Sequence, residues 1–164
     1  MKILGIHDGH NAAACLFDDG EIVAAIQEER LTRTKNENRF PHDSVRWVLE
    51  YTNTDIADLD FVAMHSKHMP PHRTREQIME EYAQSQDLTY SVKQMVKKTP
   101  ATDVYRRRRR EERLSEIRRA GLPEDKTVFL DHHTCHAAAA YYGSNWWNEG
   151  KVLVLTCDGM GDDL

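Results

Sequence analysis

The first 27 residues constrain the fold more than any other stretch, because they read as strands in succession. Lys2 to His7 is an apolar run (Ile3, Leu4, Ile6) with Gly5 inside it, the pattern of a buried strand that allows close backbone approach at one position. Ala12 to Phe17 and Glu21 to Gln27 read as two more strands. Asp18-Asp19-Gly20 between them is a hairpin signal, since glycine supplies the positive φ that the turn needs. The chain is therefore expected to open as a β-meander.

Strand and helix patterns then alternate, which predicts an α/β fold with helices flanking a mixed sheet. Glu28 to Asn36 carries more charge than folding needs and reads as a solvated loop. Asp43 or Ser44 is placed to cap a helix through Val45, Val48, Leu49 and Tyr51. Leu59 to His65 reads as a strand, and Met69-Pro70-Pro71-His72 as a loop. From Arg73 to Ala120 the pattern is helical, polar and long, with a break near Thr99-Pro100, and Gly121-Leu122-Pro123 stops it. Val128 to Leu130 is a short strand, Ala137 to Tyr142 continues a small-residue helix, and Val152 to Cys157 is the last expected strand.

A chain of 164 residues has room for one domain with a real core. No apolar run approaches the roughly 20 residues of a membrane-spanning helix, and Met1-Lys2-Ile3-Leu4 does not open a signal peptide, so a cytoplasmic protein with no membrane partner is expected. Cys15, Cys135 and Cys157 are odd in number and form no CxxC pair, which predicts reduced thiols. The net charge of −5 hides an asymmetry: residues 93–119 hold 11 Lys and Arg against 4 Asp and Glu.

The chemistry concentrates at Asp131-His132-His133-Thr134-Cys135-His136. His132 and His136 are four residues apart, so on a helix both rings leave one face, close enough to hold a metal ion. Asp158, just past the last expected strand, is placed to supply a third ligand. Two imidazoles and a carboxylate suit Fe2+, Mn2+ or Zn2+. HxxxH pairs also arise in helices that bind nothing, but this one sits between two expected buried strands, where uncoordinated imidazoles need other partners. Gly159 and Gly161 let backbone approach a phosphate or a metal-bound ligand, while Asp158 and Asp162 suit a metal or a magnesium-phosphate complex. A plain hairpin turn at Asp158-Gly159 is the alternative. His10, beside Asp8 after the first strand, is a turn histidine at a place where strand ends converge.

With these residues assembled, the chain resembles the amino-terminal part of an O-carbamoyltransferase of the antibiotic-tailoring and nodulation type. Four signatures match in order: Leu4-Gly5-Ile6-His7-Asp8-Gly9-His10-Asn11-Ala12-Ala13-Ala14, Glu28-Glu29-Arg30-Leu31-Thr32-Arg33-Thr34-Lys35, Asp131-His132-His133-Thr134-Cys135-His136-Ala137 and Asp158-Gly159-Met160-Gly161-Asp162. The HxxxH is shared with related metalloproteins that form threonylcarbamoyladenosine on tRNA. The resemblance implies an actin-like ATPase and sugar-kinase fold, of which residues 1–164 are an incomplete first lobe with a polar helical insertion at about 73–120. A second lobe and a carbamoyladenylate-forming domain are not within this chain.

In such enzymes carbamoyl phosphate and ATP, with magnesium, form carbamoyladenylate in the separate domain. The domain resembled here passes the carbamoyl group to a hydroxyl of a small-molecule or glycan acceptor. By motif match, His132, His136 and Asp158 are expected to bind a divalent metal, commonly iron, with the nucleotide phosphate as a further ligand. His10 is expected to line the transfer site as polar contact or general base. Arg30, Arg33 and Lys35 are candidates to hold phosphate or carbonyl oxygen, with Gly159 and Gly161 beside the nucleotide. The 164 residues by themselves are expected to be inactive.

Two rivals stand beside this reading. Asp131-His132-His133 also resembles the two-manganese phosphoesterases named for a DHH triplet, but those need further aspartates upstream, and the first strand here ends His7-Asp8-Gly9-His10. Arg106 to Arg110 invites a nucleic-acid reading through phosphate neutralisation. Five consecutive residues circle a helix, however, and Glu111 and Glu112 stand at i,i+4 from Arg107 and Arg108, with no aromatic interleaving to stack bases. A solvated or oligomer-facing helix is the expectation, with self-association rather than nucleic acid as the partner.

Overall fold

The computed structural model describes residues 1–68, 76, 79, 80, 100–157 and 162. Strands β1 (Lys2–His7), β2 (Ala13–Asp18) and β3 (Glu21–Gln27) pair antiparallel in sequence order, the expected meander. Asp19 (φ 48°) and Gly20 (φ 90°) both lie in the left-handed region, as a two-residue turn between twisted strands requires. Gly5 faces a tight neighbour: a Cβ there would stand 2.8 Å from Cys15 Sγ, so the close approach comes from a side chain of β2.

Strand β4 (Phe61–His65) joins β1 in parallel, and β5 (Thr127–Leu130) joins β4 in parallel. The sheet is thus mixed, in the order β3-β2-β1-β4-β5. Period-two burial decides its faces. Leu4, Ile6, Ala14, Leu16, Val62 and Met64 point into one core with Val45, Val48 and Leu49 of helix α2 (His42–Tyr51) and Ile117 of helix α3 (Pro100–Arg119). A short helix α1 (Glu28–Thr32) precedes α2, a 3-10 turn spans Ile56–Asp58, and α4 (His132–Tyr142) follows β5.

Four expectations are corrected. Residues 28–36 are not simply a solvated loop, because Glu28 is fully buried at the start of α1. Neither Asp43 nor Ser44 caps α2; the Glu28 carboxylate does, accepting from Asp43 N (3.2 Å), Ser44 N (2.7 Å) and Ser44 Oγ (2.7 Å). The orphan N–H groups of a helix start can be satisfied by any nearby acceptor, and here it comes from a neighbouring element. Helix α3 is not solvated all round either. Arg109, Arg113 and Ile117 recur every four residues and form its buried stripe.

The fourth correction concerns residues 152–157, which form no strand; Leu153 is 94% and Leu155 89% exposed. A strand-like sequence becomes a strand only where a ladder takes up its backbone groups, and among the described residues none does. The loop expected at Met69 to His72, most of the helical pattern before Pro100, and Asp158, Gly159 and Gly161 lie outside the described residues.

Candidate metal centre

Because β1, β4 and β5 run parallel, their C-terminal ends lie together at one end of the sheet. Each delivers an imidazole: His7 closes β1, His65 closes β4, and α4 begins at His132 directly after β5. Asp131 caps α4 through its side chain, accepting from Thr134 N (2.9 Å) and Thr134 Oγ1 (3.1 Å). The helix therefore starts where the spacing argument needs it. His132 and His136 leave one face, with ring centroids 4.7 Å apart and their Nε2 atoms 3.2 Å apart.

Sequence reasoning missed the third imidazole. His65 stacks edge-on against His132 at 4.9 Å between centroids, and one ligand atom from each of His65, His132 and His136 falls within a 4.8 Å group. The signal available was a histidine ending a strand beside the first one, but it becomes informative only once the strand order is known.

The arrangement fits a metal ion. Two nitrogens bound to one ion at about 2.1 Å stand about 3.0–3.4 Å apart at octahedral or tetrahedral angles, which brackets the 3.2 Å between His132 and His136. Burial pushes the His65 pKa down to about 4, helped by His7, His132, His136 and Arg113 nearby, and burial lowers that of His7 as well. Both rings are thus held neutral near pH 7, the form that donates a lone pair.

Asp162, which the sequence offers as a metal or magnesium-phosphate ligand, has another task. Its carboxylate accepts from Ser66 Oγ, Lys67 N (2.9 Å), His68 N (2.8 Å) and His132 N (2.7 Å). Partial burial raises its pKa, but these four donors overcome that and leave it at about 2. The carboxylate ties the turn after His65 to the start of α4 and so fixes the two elements that carry the histidines.

The other expected site residues are spread along the same end of the sheet. His10 is exposed, and its backbone bridges Asn38. Its carbonyl lies 2.8 Å from His7 Nε2, which links it to the cluster through main chain rather than through its own ring. Arg30 is exposed and pairs with Glu29 at 3.4 Å, Arg33 is the left-handed C-cap of α1 (φ 63°), and Lys35 is exposed in the loop that follows. These cations stand at the β3 edge, whereas the histidines stand at the β4 and β5 edge.

Residues on which both rival readings draw have structural tasks. The Asp131 carboxylate of the DHH triplet is committed to the helix cap. Arg109 of the arginine run and Arg113 after it are buried, and Arg108 pairs with Glu112 at 3.1 Å, while Arg107 and Arg110 are exposed. No described helix is long and apolar enough to cross a membrane.

Nodulation protein NolNO of Sinorhizobium fredii is 29% identical over 156 residues, covering 93% of this chain and 20% of the relative. An uncharacterized protein of Synechocystis is 30% identical over 169 residues, covering 93% of this chain and 24% of the relative. An uncharacterized protein of Methanocaldococcus jannaschii is 44% identical over 62 residues, which is 38% of this chain and 12% of that one. The chain thus spans about a fifth to a quarter of the first two relatives. The model of the carbamoyltransferase N-terminus matches residues 2–163, and the chain belongs to that family.

Proposed function

We propose that this chain is the metal-bearing part of an ATP-dependent O-carbamoyltransferase, which moves a carbamoyl group from carbamoyladenylate to a hydroxyl of a small-molecule or glycan acceptor. The observation that carries the reading is the 3.2 Å spacing of the His132 and His136 Nε2 atoms in a chain of this family. A meander followed by parallel strands, in the order β3-β2-β1-β4-β5, supports a first lobe of the actin-like ATPase and sugar-kinase type. ATP as co-substrate places the reaction in the cytoplasm.

The proposed step is acyl transfer from a mixed anhydride. The acceptor oxygen bonds to the carbamoyl carbon, the bond from that carbon to the phosphate oxygen breaks, and AMP leaves. His132 and His136, with Asp158, would hold a divalent ion, iron first and manganese or zinc next. Such an ion supplies positive charge to the phosphate oxygens of the leaving group. His10 takes the acceptor proton on a ring nitrogen, the role of a general base. Arg30, Arg33 and Lys35 would offer donors to phosphate or carbonyl oxygen, and Gly159 and Gly161 would admit the nucleotide.

The test uses the full-length protein and supplies carbamoyl phosphate, ATP, magnesium and an acceptor alcohol. Carbamoylated product that disappears in His132→Ala and His136→Ala supports the reading. Manganese-dependent hydrolysis of a phosphodiester, with no carbamoyl transfer, would overturn it in favour of the phosphoesterase. Residues 1–164 alone are expected to form no product.

A further inference from the structure

Three nitrogen atoms outside the HxxxH pair form a line whose proton positions can be worked out. The His7 ring stands between two partners, with its Nε2 2.8 Å from the carbonyl oxygen of His10 and its Nδ1 3.1 Å from Nδ1 of His65. A carbonyl oxygen can only accept, so His7 Nε2 carries a hydrogen. In the neutral ring that leaves Nδ1 as an acceptor. The facing atom, His65 Nδ1, must then be the donor, and the neutral His65 ring is left with its one lone pair on Nε2.

We infer that His65 is a further protein ligand of the metal beside His132, His136 and Asp158, through Nε2, and that His7 is a positioning residue that sets the His65 tautomer by accepting its Nδ1 hydrogen. His65 lies in the right place for this. Its ring centroid is 4.9 Å from that of His132 and 6.2 Å from that of His136, and its ligand atom is within the 4.8 Å group the three residues make. Metal-bound imidazoles generally donate their second nitrogen to a fixed acceptor, which orients the ring and raises its basicity. The His65 to His7 to His10 carbonyl series is such a support, built from β1, β4 and the turn after β1.

Three neutral nitrogen donors bring no negative charge to the ion, so of the proposed ligands only the Asp158 carboxylate would offset its double charge, and the remainder is available to anionic oxygens. They also couple the ion to the main chain at His10, so a shift of that turn would reach the ligand set through two hydrogen bonds. The inference rests on the reading that His132 and His136 bind an ion, and its test separates the two.

Chelator-stripped protein is titrated with Co2+ and followed by its d–d absorption, with folding of each variant checked by circular dichroism. His132→Ala reports on the underlying metal reading and should abolish binding. His65→Phe, which keeps a flat ring but removes the nitrogens, should weaken Co2+ binding at least ten-fold and change the band pattern. His7→Phe should leave binding intact but weaker. In nitrogen-15 spectra of the metal-free wild type, which need no variant, His65 should carry its hydrogen on Nδ1, and its Nε2 signal should move when Zn2+ is added. In His7→Phe the His65 signals should report a mixture of tautomers.

Wild-type affinity and an unchanged spectrum in folded His65→Phe, together with loss of binding in His132→Ala, would overturn this inference and leave the two-histidine reading standing. A hydrogen on His65 Nε2 that Zn2+ does not displace would do the same. Wild type that binds no Co2+ or Zn2+ would overturn both.

Discussion

Arg113 grips Asp8 through two parallel hydrogen bonds, Nε to Oδ2 at 2.7 Å and one terminal nitrogen to Oδ1 at 2.8 Å, with both side chains almost wholly buried. The same guanidinium donates to the carbonyls of Ser66 (2.6 Å) and His65 (2.7 Å) and lies 4.8 Å from the centre of the Phe129 ring. One side chain of the arginine-rich helix thereby fastens the ends of β1 and β4, where His7 and His65 begin the histidine cluster. Its charge is tolerable in the core because nearly every donor has an acceptor.

Removing either half leaves an uncompensated buried charge. Asp8→Asn and Arg113→Met are each expected to cost about 3–5 kcal/mol, measured by urea unfolding. Arg113→Lys should recover only part of this, since an ammonium cannot span both carboxylate oxygens and both carbonyls. The double replacement, Asp8→Asn with Arg113→Met, should lose less than the two singles added together.

Glu28 offers a second test of buried charge. Its carboxylate takes two backbone N–H groups and the Ser44 hydroxyl at the start of α2, with Arg39 3.6 Å away. Glu28→Gln keeps the shape but loses charge and one acceptor, and should cost about 1–3 kcal/mol in the same unfolding measurement. Ser44→Ala removes one of three donors and should cost less.

Acid should unfold the metal-free protein in two separable windows. His65 has a folded pKa near 4, well below the usual 6.5, so between these values the unfolded chain takes up a proton that the folded chain refuses. Stability therefore falls as pH drops from 6.5 toward 4, and His7 adds to the same trend. Asp162 is depressed from 3.8 to about 2, so its contribution is present above 3.8 and is lost as pH falls toward 2. Thermal midpoints measured against pH should lose the upper slope in His65→Phe and the lower slope in Asp162→Asn.

The sequence disclosed those parts of the molecule whose signals are local. The bounds of β1 and β3, the Asp19-Gly20 turn, the stop after Arg119 and the shared face of His132 and His136 follow from alternation, turn chemistry and helical spacing. What stayed hidden depends on contacts between distant segments. His65 reaches the cluster only because β4 lies between β1 and β5, a fact of strand order. Glu28 and Arg113 read as surface charge because their partners come from other elements. Residues 152–157 mislead in the opposite direction: their composition favours a strand, but no described neighbour offers a ladder.

Gly5 ties the packing of the sheet to its chemistry, since it lies two residues before His7 on β1 and opposite Cys15 on β2. A methyl group placed there would meet Cys15 Sγ at 2.8 Å, and a sulfur one bond from its Cβ has little freedom to withdraw. Overpacking of this kind costs about 1–3 kcal/mol, so Gly5→Ala should lower the unfolding midpoint by a corresponding amount. Cys15→Ala removes the sulfur and opens room for the methyl. The cost of Gly5→Ala should therefore shrink in the Cys15→Ala background, and a double-mutant cycle in urea reads that difference directly. An equal cost in both backgrounds would place the penalty in the backbone rather than in the contact with Cys15.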